Sequence, residues 1–141
     1  MSERYTFLDH TADAKFRAYG KSLEEAFENS ARAVISLMWD AKSIRPLQSI
    51  PIRIQGRDLG QLLLAFLEEI LYLLDTRSFL LSDLNGTRIE KNEAGFTLES
   101  VFRGDTFGDG YEIFGEVKAA TYGEMEIFQD KKWTIQVVVD M

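Results

Sequence analysis

The chain has 141 residues, 45% hydrophobic and 28% charged, with a formal net charge of −7 and no cysteine. That is enough chain for one domain with a real core, spanning residues 1–141, and it excludes disulfides, zinc–thiolate sites and thiol nucleophiles. The acidic balance argues against direct binding of nucleic-acid phosphates, which needs clustered Lys and Arg. The longest apolar run, 59–74, is interrupted by Gln61, Glu68 and Glu69. It falls short of the roughly 18 to 20 residues of a membrane span. Met-Ser-Glu-Arg at the start lacks the basic-then-apolar pattern of a signal peptide, so a cytoplasmic protein without a membrane partner is expected.

Phe7 and the run Ala14 to Tyr19 read as extended segments around a polar motif, Asp9-His10-Thr11-Ala12-Asp13. Gly20-Lys21 is a turn, Ser22 an N-cap, and Glu25 completes a capping box. Leu23, Phe27, Ser30, Ala31, Val34 and Met38 then recur at helical spacing, predicting a first helix to about Trp39. Pro46 marks a loop. Ile50, Ile52 and Ile54 alternate with polar residues as a half-buried strand, with Pro51 near its start. Asp58 caps a second, leucine-rich helix from Leu59 to Leu74, more apolar all round and therefore expected to be the central one. Its Glu68-Glu69 pair reads as the solvated face.

Short strands follow: Phe79 to Leu84, Thr87 to Glu90 and Phe96 to Phe102, with turns at Asn85-Gly86 and at Asn92-Glu93-Ala94-Gly95. Gly104 to Tyr111 is an acidic, glycine-rich segment that resembles a calcium loop but lacks its ligand spacing. It reads as a mobile loop. Glu116 to Thr121, Met125 to Gln129 and Trp133 to Asp140 are the last strands, the final two joined by Asp130-Lys131-Lys132. The fold class is α+β: two helices packed on a largely antiparallel β-sheet, in a single compact domain.

The candidate chemistry lies at the two ends. Five residues hold the only histidine, two carboxylates and a hydroxyl, and the β-branched run Val137-Val138-Val139 stops on Asp140 and Met141. If the ends meet, three or four hard oxygens converge, of the kind that hold Mg²⁺ or Ca²⁺. Each residue also has a plainer reading. Asp9 and Asp13 can cap turns, His10 can be a packed imidazole, and Asp140 can be a solvated terminus. Lys118, in the run Lys118-Ala119-Ala120-Thr121-Tyr122, is either a surface residue or a cation aimed at a carboxylate or phosphate cluster. No Ser-His-acid triad, P-loop or dinucleotide fingerprint is present.

Taken in order and spacing, these pieces resemble the archease family. The resemblance runs from Phe7-Leu8-Asp9-His10-Thr11-Ala12-Asp13 through Gly20, Ser22-Leu23-Glu24-Glu25-Ala26-Phe27, Gly56-Arg57-Asp58 and Phe66-Leu67-Glu68-Glu69-Ile70-Leu71. It ends with Glu116-Val117-Lys118-Ala119-Ala120-Thr121-Tyr122 and Val139-Asp140-Met141. The resemblance implies an accessory factor that activates a GTP-dependent 3′-phosphate RNA ligase, promoting its guanylylation and repeated turnover, and is not itself an enzyme. It implies a metal site at Asp13, Asp140 and Met141, filled by Ca²⁺ or Mg²⁺, with His10, Asp9 and Lys118 in supporting or partner-facing roles. Relatives commonly carry a histidine after the Thr-Tyr pair; here Gly123 stands there. Met141 also replaces a common branched aliphatic. The alternatives are a stand-alone metal-dependent hydrolase with His10 as general base and a scaffold module in which the carboxylates are structural.

Overall fold

The computed structural model describes residues 3–9 and 13–141. Its elements in chain order are β1 (Tyr5–Leu8), β2 (Ala14–Gly20), α1 (Leu23–Ser36), a 3₁₀ turn (Ala41–Ser43), β3 (Gln48–Gly56), α2 (Leu59–Arg77), β4 (Phe79–Asn92), β5 (Gly95–Thr106), β6 (Ala119–Gln129) and β7 (Trp133–Asp140). One sheet has the order β1-β2-β7-β6 and the other β3-β5-β4, with every pairing antiparallel. Both helices pack against both sheets. The α+β reading therefore holds, with two sheets where the sequence suggested one.

Strand chemistry explains the sheet order. Phe16 and Ala18 of β2 are fully buried while Lys15 and Arg17, which alternate with them, are half-buried, the alternation of a strand with one core face. In β7, Thr134 through Val139 are all buried: one face lies on the core, and side chains of the flanking strands, such as Arg17 and Glu126 on Gln136, cover the other. Gln136 tolerates this because Arg17 Nε donates to its Oε1 at 2.9 Å and its Nε2 donates to the Glu124 carbonyl at 2.8 Å. Pro51 sits in β3, an edge strand, where a missing N–H breaks no ladder.

Caps fix both helices. Ser22 Oγ accepts the Glu25 amide at 3.1 Å, and the Glu25 carboxylate reaches back to the Lys21 amide at 2.9 Å. At α2, Asp58 Oδ1 accepts the Gln61 amide and Gln61 Oε1 accepts the Arg57 amide. Gly20 lets the end of β2 approach α1 backbone to backbone: a Cβ there would lie 2.3 Å from Ala26 N. At the centre, the Phe66 ring lies 5.8 Å from both Phe27 and Phe102, joining α2 to α1 and β5.

The structure corrects several expectations. The first helix ends at Ser36; Leu37 to Trp39 form a turn, and the buried Trp39 indole donates to the Leu81 carbonyl at 2.9 Å. The leucine-rich helix is not the more central one. Eight of fourteen α1 residues are buried against seven of nineteen in α2. Ala26, Ser30, Ala31 and Ala33 let α1 lie close on its neighbours, while Tyr72 on α2 faces solvent. Glu68 and Glu69 are half-buried rather than fully solvated, and burial pushes the Glu69 carboxyl above its usual range. Asn85-Gly86 is no hairpin turn: β4 runs through it, with a register shift between Asn85 and Arg88 and Gly86 at φ +66°. β6 is likewise one strand, beginning at Ala119 rather than Glu116 and irregular between Thr121 and Glu126.

Candidate metal site at one end of the first sheet

Register brings the predicted residues together. Ala14, the first residue of β2, pairs with Val139 of β7. Asp13 directly precedes Ala14 and Asp140 directly follows Val139, so both lie at this end of the sheet. On the other side of β7, Ala119 pairs with Asp140, and the Lys118 amide donates to the Asp140 carbonyl at 2.7 Å. Leu8 pairs with Lys15, so Asp9 follows at the same end. Asp9, Asp13, Lys118, Asp140 and Met141 thus share one end of the sheet, while His10 lies outside the described residues.

The faces follow from strand alternation. Val137 and Val139 are fully buried toward the helices, so Asp140 belongs to the opposite face, together with Gln136 and Val138. Asp13 is half-buried; Asp9, Asp140 and Met141 are exposed. Neither the Asp13 nor the Asp140 carboxylate has a hydrogen-bond or ion-pair partner among the described residues. Lys118 is exposed, and its ammonium has no ion-pair partner there either. Its tie to Asp140 runs through the main chain. Neighbouring carboxylates that have no direct ion-pair partner repel each other and favour a bound cation.

The donor set limits which ion fits. Among the described residues no three His, Cys, Asp or Glu side chains converge as a metal cage. Two carboxylates with main-chain oxygen beside them suit a hard ion that keeps waters or shares ligands, as Mg²⁺ and Ca²⁺ do. They do not suit structural zinc, which takes four nitrogen or sulfur ligands.

The calcium-like loop has spent its charge elsewhere. Asp105 is the next-to-last residue of β5; the Tyr111 hydroxyl donates to its Oδ2 at 2.6 Å and the Thr106 amide to its Oδ1 at 2.9 Å. The Tyr111 hydroxyl, followed by the Thr106 amide and the Gln48 and Arg45 side chains, holds the Asp105 carboxyl below its usual range. Arg45 Nε donates to the Tyr111 hydroxyl at 2.9 Å, and Phe107 N to the Ser78 carbonyl. The segment expected to be a mobile loop is therefore part strand and pinned at several points.

Two residues beside the site were not singled out from sequence. Lys15 lies on the same face as Asp13, two residues on, with its ammonium 3.0 Å from Glu124 Oε1. Strand alternation alone could have found Lys15. Glu124 depends on the β6 irregularity, where it adopts φ +56°. Next to it, a Cβ on Gly123 would meet only Thr121 Oγ1 among the described residues, at 3.6 Å.

The Archease protein family model (MTH1598/TM1083) matches residues 5–141. The chain belongs to the archease family. It is 38% identical to the protein archease of Pyrococcus furiosus and 37% identical to that of Thermococcus gammatolerans, each alignment covering 98% of this chain and 99% of the relative. The archease of Ictalurus punctatus is 33% identical across the whole chain and 87% of its own length. Among solved structures, the solution structure of Methanobacterium thermoautotrophicum protein 1598 superposes with a TM-score of 0.85 at 34% identity, over 98% of this chain and 99% of that one. The two-sheet, two-helix arrangement is thus an archease fold, and no helix among the described residues is long and apolar enough to cross a membrane.

Proposed function

We propose that this chain is a metal-binding accessory factor that activates a GTP-dependent 3′-phosphate RNA ligase in the cytoplasm, promoting ligase guanylylation and repeated turnover in tRNA splicing and RNA repair. Membership of the archease family supports the class. The single observation that carries the metal part is that the β2–β7 register brings the Asp13 and Asp140 carboxylates to one end of the sheet, neither with a partner among the described residues.

In this reading Asp13 and Asp140 hold a divalent ion, with Met141 adding main-chain oxygen. A bound ion of this kind neutralises phosphate charge during nucleotidyl transfer. The chain's own residues present the ion on an exposed tip. β7 supplies the rigid support, and the Lys118 amide fixes the Asp140 backbone. Asp9 and His10 stand by the tip in sequence, available to the partner. The net charge of −7 favours docking against a basic ligase surface over direct contact with RNA. The guanylyl group would sit on the ligase, since this sequence has no nucleotide fingerprint.

The test is transfer of labelled GTP to a purified partner ligase with substoichiometric amounts of this chain. The expected result is faster labelling of the ligase and none of this chain. Label on this chain, or an unchanged rate, rejects the activator role. Stimulation that survives loss of both aspartates keeps the partner and rejects the metal mechanism.

A further inference from the structure

We propose that Lys15, held by Glu124 on the irregular stretch of β6, is a built-in counter-charge that sets a low metal affinity at the acidic tip. The inference rests on the reading of Asp13 and Asp140 as a metal site and adds a residue that tunes it.

The placement follows from register. Lys15 pairs with Val138, so Asp140 is its diagonal neighbour on the same face of β7, at about 7–8 Å. Asp13 lies two residues back along the chain, roughly 7 Å away on that face. Lysines of surface strands usually wander in solvent. This one has only 18% of its side chain exposed, and its ammonium is bound 3.0 Å from Glu124 Oε1. Glu124 is itself placed by the backbone: it has φ +56°, lies in the register shift between Thr121 and Glu126, and accepts the Gln136 side-chain amide on its carbonyl at 2.8 Å. The buried Gln136 thus braces Glu124, and Glu124 keeps the lysine across the outer face of β7.

The electrostatic consequence has a definite sign. A fixed ammonium near two carboxylates offsets their mutual repulsion when no ion is bound. It repels a divalent cation entering between them, and the Glu124 carboxylate moderates that repulsion. An ion held weakly in this way can be shared with phosphate or protein ligands on a partner surface.

The test is calorimetric titration of the full chain with Ca²⁺ and, separately, Mg²⁺ at low ionic strength, with thermal melts to verify folding. Lys15→Met is expected to tighten binding roughly three- to tenfold, the size of a monovalent–divalent repulsion across about 7 Å in a water-like dielectric. Glu124→Gln leaves the ammonium less compensated and is expected to weaken binding by a similar factor. Lys15→Arg keeps the charge and should stay within about twofold of wild type. Both shifts should shrink in high salt. The opposite signs are decisive, because a pair that merely braces β6 would move the affinity in one direction whichever partner is lost. Unchanged or weaker binding by a folded Lys15→Met overturns the inference and leaves the metal site standing. If Lys15→Met does not fold, unchanged or tighter binding by Glu124→Gln overturns it instead. No binding of either ion by wild type overturns both.

Discussion

The chain has two acidic places that invite a cation, and they differ in one respect. In the segment 105–112, the carboxylate that looks most like a ligand, Asp105, is occupied by the Tyr111 hydroxyl, the Thr106 amide, Gln48 and Arg45. At the end of the first sheet, Asp13 and Asp140 flank the last β2–β7 pair, Ala14 and Val139, with no partner among the described residues. Acidic density is similar in the two places; commitment is not. A carboxylate already accepting from a hydroxyl, an amide and a glutamine side chain has most of its lone pairs in use. One held beside a like charge by strand register remains available.

The sharpest way to break this contrast is to neutralise each place in turn. Asp13→Asn and Asp140→Asn should each weaken Ca²⁺ or Mg²⁺ binding tenfold or more, about 1.4 kcal/mol, without lowering the melting temperature. Asp105→Asn should leave ion binding unchanged. Calorimetric titration of the three variants decides it, and the contrast fails if Asp105→Asn is the one that loses the ion.

A smaller effect is expected from extending the chain after Met141. A fused peptide adds bulk beside Asp140 and changes the chemistry of the main-chain oxygens there. Ion affinity should fall several-fold with a C-terminal tag and stay near wild type with an N-terminal one. Equal affinities in the two tagged forms would remove Met141 from the ligand set.

The pinned segment makes its own prediction. Tyr111→Phe deletes the hydroxyl that bonds Asp105 and Arg45 and should cost about 1 kcal/mol in denaturant unfolding at neutral pH. The sign with pH follows from the lowered Asp105 pKa. Its contribution is present above the unfolded carboxylate range and is lost as pH falls through the folded value. The difference between Tyr111→Phe and wild type should therefore narrow in acid. A gap that stays constant across that range would mean Asp105 is not the group being held.

The smallest effect belongs to Glu69. Burial raises its folded pKa, so the native chain keeps that proton more readily and stability is lost as pH rises through the window. Glu69→Gln should change stability by a few tenths of a kcal/mol at neutral pH, in the stabilising direction. Clear destabilisation in a melt would show that the carboxylate has a partner worth more than its burial costs.

Much of this arrangement was legible in the sequence. The Ser22–Glu25 capping box, the Asp58 cap, the alternation in β3 and the limits of β7 all follow from local pattern, and the structure keeps them. What failed depends on partners a local pattern cannot see. Asn85-Gly86 has turn chemistry, but β5 continues alongside it and absorbs it as an irregularity. The leucines of α2 suggested the central helix, yet small residues allow α1 closer packing. Asp13 and Asp140 stood out in the sequence as candidate hard ligands, whereas their lack of partners among the described residues could be seen only in the fold. Glu124 was illegible because the β6 register shift depends on pairing with β7.

The pairing of β2 with β7 also bears on how the molecule is made. Ala14 and Val139 are neighbours in the sheet but 125 positions apart along the chain. Contacts of that separation carry a large loop-closure entropy and slow the folding of the strands that make them. The hairpin of β4 and β5 closes locally and can precede them. The first sheet is complete only when β7 lies between β2 and β6, and that pairing is what brings Asp13 and Asp140 to the same end. Hydrogen exchange during refolding should accordingly show amides of β4 and β5 protected before those of β2 and β7, with competence to bind an ion arriving last.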